Sequence, residues 1–145
     1  MSSTLVNVAD KVRTTLAASL SREVGRSWVP DIVTPKELDT ARIDVVPVAI
    51  VFERESRAGW RKTIQVDIGV RQRVRNDDTE AAVAAADSVM ELVSKITDAL
   101  ETNKRFDDVS ASLVGITLAP TFDAELLRNL NVLATAMNVT YMVNE

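Results

Sequence analysis

From Trp60 to Val74 the chain alternates between two chemistries. Trp60, Lys62, Ile64, Val66, Ile68, Val70, Gln72 and Val74 form a largely apolar set; Arg61, Thr63, Gln65, Asp67, Gly69, Arg71 and Arg73 form a polar, basic one. Side chains alternate faces along a strand, so this pattern predicts one face built for burial and one for water or a charged partner. At roughly 3.3 Å per residue such a strand spans about 45 Å, well beyond the usual strand of about 5–6 residues. A Val- and Ile-rich stretch, Arg42 to Glu53, precedes it. Together they predict an antiparallel hairpin with a connection over Glu53 to Gly59, projecting as a ribbon beyond its own core. Pro47 cannot donate to a ladder, which puts the first strand at an edge or gives it a bulge there.

The remaining elements follow from spacing. Leu5, Val8, Ala9, Val12, Leu16 and Leu20 recur at helical intervals behind the cap candidates Ser2, Ser3 and Thr4, predicting a helix over Thr4 to Arg22 with Gly25 close behind its end. Ser27 to Asp39 contains Pro30 and Pro35 and reads as a short extended piece followed by loop, with a single turn over Lys36 to Thr40. Asn76, Asp77, Asp78 and Thr79 offer caps, and Glu80 suits the positive end of a helix dipole. The long helix that follows to Glu101 carries a stripe of Val83, Ala86, Met90, Val93, Thr97 and Leu100, widened by Val89, Leu92 and Ile96. Val109 to Pro120 reads as a strand, with Ser110, Ser112, Val114, Ile116 and Leu118 on one face and Val109, Ala111, Leu113 and Gly115 on the other. Asp123 to Asn129 can begin a helix or form a turn; the turn is preferred, leading into a strand over Asn131 to Val143 with Leu133, Met137, Val139, Tyr141 and Val143 aligned. The expectation is one α+β domain over residues 1–145, ordered α-β-β-α-β-β, with a mainly antiparallel sheet of about four strands and two helices on one face.

Composition narrows the chemistry. The 145 residues contain no cysteine and no histidine, which removes disulfides, thiolate sites and the commonest general base. Asp77-Asp78 suits a helix cap and Asp107-Asp108 a turn, while Gly25, Gly59, Gly69 and Gly115 are too scattered for a phosphate loop. No base accompanies Ser19, Ser21 or Ser27. The residues argue against an enzyme and imply no cofactor. No apolar run reaches the roughly 18 residues of a membrane span, and no basic segment leads into an apolar core at the N-terminus; the reading is a soluble, non-secreted protein.

Charge is unevenly placed. The chain has a net charge of −4, yet Arg54, Arg57, Arg61, Lys62, Arg71, Arg73 and Arg75 stand against only Glu55 and Asp67 between positions 54 and 75. That segment is +5 and the remainder −9, a split suited to head-to-tail association of basic and acidic surfaces. An ordinary solvated strand face is the alternative. Phosphate binding by the same arginines is a rival, opposed by a pI near 4.9 and few aromatics for stacking. Mean hydropathy just above zero fits either a valine- and alanine-rich core or apolar surface covered by neighbouring subunits.

In order, the opening amphipathic helix, Trp28-Val29-Pro30, Ile43-Asp44-Val45-Val46-Pro47, Ser56-Arg57, the Ile64 to Val70 strand, and Leu92-Val93 with Ile96 to Leu100 make a recognisable set. Ala119-Pro120, Leu126 and Val139-Thr140-Tyr141 complete it. This set resembles the tail terminator, or tail completion, proteins of long-tailed bacteriophages. The resemblance implies an α+β virion subunit that closes into a ring, commonly of six. Such a ring seats on the tail tube, stops its polymerisation and offers a surface to the head–tail connector, with viral DNA passing non-specifically through the lumen. It also implies assembly in the host cytoplasm, a final place in the tail or neck, and no catalytic residue. Arg54, Arg57, Arg61, Lys62, Arg71 and Arg73 would then make subunit or tube contacts or face the lumen. A neck or connector subunit, and a non-viral cytoplasmic adaptor for an acidic partner, stand as alternatives.

Overall fold

The computed structural model describes residues 4–26, 41–56, 59–73, 79–118 and 132–143. Helix α1 spans Thr4–Leu20, followed by strands β1 (Val24–Arg26), β2 (Arg42–Ser56) and β3 (Gly59–Arg73). Helix α2 spans Thr79–Thr102, and β4 (Arg105–Phe106), a 3-10 turn (Asp107–Val109), β5 (Ala111–Leu118) and β6 (Val132–Val143) complete the chain. The proline segment after Arg26, the caps at Asn76 to Asp78 and the ambiguous stretch at Asp123 to Asn129 lie outside the described residues.

The fold is α+β, but its sheet has six described strands in the order β1-β2-β3-β6-β5-β4, where about four were expected. It is also mixed, because β1 pairs with β2 in parallel through Val24 to Arg26 against Ile43 to Val45. β1 and β4 are too short to show a period, so neither was visible in the alternation.

Both helices pack on one face, in contact with each other, with α1 over β1 and β2 and α2 over β3 and β5. The core between them is built from Val8, Val12 and Leu16 of α1, Val89, Val93, Ile96 and Leu100 of α2, and Ile64, Val66, Ile68 and Val70 of β3. From β6 come Leu133, Met137, Val139, Tyr141 and Val143, as the alternation predicts. Truncating one of the large members, Leu16 or Ile96, to alanine costs about 2–5 kcal/mol. Val83, assigned to the buried stripe from spacing, is instead exposed, because only the later turns of α2 lie over the sheet.

α1 ends at Ser21, which takes the left-handed conformation (φ 51°) while the Arg22 N–H donates to the Ala17 carbonyl at 3.3 Å. This is the two-residue lock that commonly closes helices. Gly25 therefore does not close the helix; it lies inside β1.

Two bulges set the sheet's shape. Between β2 and β3 the register steps from Pro47↔Val66 to Ala49↔Gln65, so Val48 is the additional residue. The bulge falls next to Pro47, on the part of β2 beyond the reach of β1, as a missing N–H demands. On β5 the register steps from Leu113↔Tyr141 to Gly115↔Thr140, leaving Val114 as the additional residue and exposed. This overturns the expected strand faces. Ala111 and Leu113 face the core before the bulge and Ile116 and Leu118 after it. Val109 and Ser110 precede the strand.

Candidate interaction surface on the β2–β3 ribbon

The hairpin is tighter and less detached than the alternation suggests. Ser56 pairs with Gly59, which shortens the expected connection over Glu53 to Gly59 to residues 57–58. β6 pairs with β3 from Lys62 to Arg73. Only the distal end, Glu53–Ser56 with Gly59–Arg61, runs past the third strand, so the projection expected of the whole ribbon is confined to that end.

The register sorts the ribbon's side chains by face. Core-facing Ile64, Val66, Ile68 and Val70 leave Arg61, Thr63, Gln65, Asp67, Arg71 and Arg73 on the face that no described helix covers. The six cations expected to act together are split into two groups by the strand. Arg54, Arg61 and Lys62 lie at the distal end and Arg71 and Arg73 near the other, roughly 30 Å away along the chain. Arg57 lies outside the described residues.

At the distal end Arg54 is exposed, opposite Trp60. Arg61 donates from Nη2 to Glu53 Oε2 at 2.8 Å, across the strand pair and in water on both sides. Lys62 lies opposite Phe52 with its Nζ 5.9 Å from the ring centroid, within cation–π range. Phe52 is 55% exposed; Val51 is exposed on the opposite face of the strand and Val48 at the bulge. β1 covers β2 only over Ile43 to Val45, so among the described residues no strand pairs with the outer edge of β2 from Val46 onward.

The other group is organised around a carboxylate that the search for charge did not single out. Asp44 accepts from Arg71 Nη2 at 2.8 Å and from Arg42 Nε at 3.3 Å. Its side chain is only 3% exposed, and that of Arg71 16%. A Cβ placed on Gly25 would stand 2.5 Å from Asp44 Oδ1, so glycine is what lets β1 approach the pair. This cluster ties β1, β2 and β3 together, and it uses Arg71 inside the subunit. The signal was present in the sequence, an acid in the otherwise apolar run Ile43-Asp44-Val45-Val46. Arg73, opposite Val132, is exposed.

Elsewhere charges are paired locally. Arg26 meets Asp10 at 2.8 Å and Arg105 meets Asp107 at 2.7 Å. Lys11 pairs with Asp108, whose carboxyl that hydrogen bond holds below the usual range. Asp107 and Asp108 thus sit in a 3-10 turn and bridge to neighbouring cations. Among the described residues no group of three acidic side chains is placed to hold a metal ion, and no helix is long and apolar enough to cross a membrane.

No family model matches this chain, and no curated protein matches it. Among solved structures, the sheath/tube terminator of PVC, an extracellular contractile injection system, in its extended state, is similar to it with 18% identity and a TM-score of 0.39. The likeness covers 100% of this chain and 58% of that one, so the chain spans less than two thirds of its neighbour's length.

Proposed function

We propose that this chain is a structural subunit that terminates a phage tail: copies close into a ring, commonly six, that caps the tail tube and receives the head–tail connector. The observation that carries this reading is the distal end of the β2–β3 ribbon. There and on the adjoining pair Phe52↔Lys62, the exposed aromatic Phe52 lies with the cations Arg54 and Lys62 on the helix side, and Val51 with Arg61 lies on the other side, on a strand whose outer edge is unpaired among the described residues. Aromatic and arginine side chains are what protein contact surfaces favour. The ordered sequence landmarks that resemble tail terminators support the same reading. A ring whose outer face differs from that of the tube offers no site for another tube subunit, so polymerisation stops.

Within this reading, Arg54, Arg57, Arg61 and Lys62 serve contact with a neighbouring copy or the tube. Arg73 lies apart, on the helix-free face, and suits the lumen, where viral DNA passes without sequence readout. Arg71 supports the subunit itself through Asp44. The protein acts without cofactor or reaction, in the tail or neck of the virion after assembly in the host cytoplasm.

Negative-stain images of particles made with and without the gene test the proposal. Overlong, headless tails in its absence are the expected result. Tails of normal length with unattached heads would replace it with a connector role, and normal particles would overturn any role in the virion.

A further inference from the structure

The distal ribbon has a counterpart on the same chain. Glu80, Asp87, Glu91 and Asp98 of α2 are separated by seven, four and seven residues, close to whole helical turns, so they form one line along the helix. All four are exposed, and the line lies opposite the buried Val89, Val93, Ile96 and Leu100. Val83, 55% exposed, stands between Glu80 and Asp87 at neighbouring positions on the helix surface. Among the described residues the cations near this face are Lys95, on its flank, and Arg22, which lines a groove together with Leu92, Lys95 and Asp98. On the ribbon, Phe52, Arg54 and Lys62 share the face turned to the helix side of the sheet, whereas Glu53 points to the other face with Arg61. Phe52 is exposed in the single chain, so the ribbon does not rest on its own α2.

We infer that the distal ribbon of one copy docks across the outer face of α2 in a second copy. Phe52 packs against Val83, while Arg54 and Lys62 lie along Glu80, Asp87 and Glu91. Charge complementarity commits the occupant: the ribbon end from Glu53 to Lys62 carries four cations against two acids, net +2, in a chain of net −4 whose α2 presents a line of four exposed acids, so a second copy supplies the opposite charge. Ribbon and helix are different patches, which makes the contact head-to-tail, able to close a ring. The inference rests on the subunit-to-subunit reading above and names the surface that receives the ribbon.

A charge-swap cycle tests it. Arg54→Glu with Lys62→Glu reverses the ribbon, and Asp87→Lys with Glu91→Lys reverses the helix; all four side chains reach solvent, so each variant should fold as the wild type does by circular dichroism. Sedimentation at low salt should show wild-type self-association and, for each variant alone, association weaker by about tenfold or more. An equimolar mixture of the two variants should regain it, because each reversed surface then meets its opposite. Wild-type association should fall as salt rises past about 0.1 M, where screening reaches roughly 10 Å. As a check independent of charge, a Phe52→Cys chain mixed with a Val83→Cys chain should form an interchain disulfide, free of competition because the native chain has no cysteine. A wild type that stays monomeric at about 1 mM chain, a mixture no better than its parts, or normal tail length with the helix-reversed variant would overturn this contact. None of those results touches tail termination, which stands or falls with the gene deletion.

Discussion

Arg71 Nη2 donates to Asp44 Oδ2 at 2.8 Å across two neighbouring strands and 27 residues of sequence. Arg42 approaches the same carboxylate, so one nearly buried negative charge holds two guanidinium groups side by side. Such an arrangement is costly to break from the acidic side, because the cations are left facing each other without their counter-charge. Asp44→Ala should lower unfolding free energy by about 3 kcal/mol, the low end for a buried pair, because Arg42 still reaches water. Asp44→Asn should cost less, since the amide oxygen still accepts. Urea midpoints at constant slope provide the measurement, and a loss under about 0.5 kcal/mol would place Asp44 among ordinary surface substitutions.

Gly25 and Gly115 should respond oppositely to alanine. At Gly25 the new methyl meets Asp44 Oδ1 at 2.5 Å, whereas at Gly115 nothing lies within 4 Å. Gly25→Ala should therefore destabilise by about 1–3 kcal/mol through overpacking. Gly115→Ala should be neutral or gain about 0.5 kcal/mol by restricting the unfolded chain. Equal melting shifts for the two would contradict the close approach of β1 to the Asp44 pair.

Tyr141 is fully buried, its ring stacked on Phe106 at 5.2 Å between centroids, and its hydroxyl has no hydrogen-bond partner among the described residues. Tyr141→Phe keeps the stacking and removes the stranded hydroxyl, so it should raise stability by about 1 kcal/mol. Burial pushes the phenol's pKa up, so the folded state keeps its proton where the unfolded chain, near pH 10, loses it. Unfolding then releases a proton, and stability is fully present below about pH 10 and falls as pH rises beyond it. Denaturation between pH 9 and 11 should show that decline in the wild type and a shallower one in Tyr141→Phe.

Arg57→Glu combined with Arg61→Glu should leave the fold intact and block assembly. The Arg61–Glu53 pair is exposed on both sides, so its loss costs only about 0.2–1 kcal/mol. Thermal melting should barely move while tail capping, scored by tail length in electron micrographs, fails. Normal tails from this variant would remove the hairpin tip from the contact.

Long periodic elements were readable in the sequence because each meets the core in its own register. α1, the β2–β3 hairpin, α2 and β6 all appear within a few residues of where periodicity puts them. What escaped depends on partners distant in sequence. β1 exists because Gly25 lets Val24 to Arg26 lie beside Ile43 to Val45, and three residues carry no period of their own. The bulge at Val114 reverses the faces of β5 midway, so strict alternation assigned half its side chains to the wrong side. For the surface, counting cations found the ribbon but grouped Arg71 with exposed neighbours. Only the strand pairing reveals that Asp44 already holds it. On α2 periodicity singled out the apolar stripe and passed over the acids Glu80, Asp87, Glu91 and Asp98 on its back, whose relation to the ribbon needs Val83 and Phe52 to be seen uncovered.

The bulge beside Pro47 has a consequence for the unassembled protein. Among the described residues no strand pairs with the outer rim of β2 from Val46 onward, and an unpaired rim is the geometry on which fibrils seed. Pro47 deletes one donor and Val48 kinks the rim, so the two act together as gatekeepers. Replacing Pro47 with valine would straighten a sticky border and turn a soluble chain into one that precipitates as threads, which thioflavin fluorescence would report.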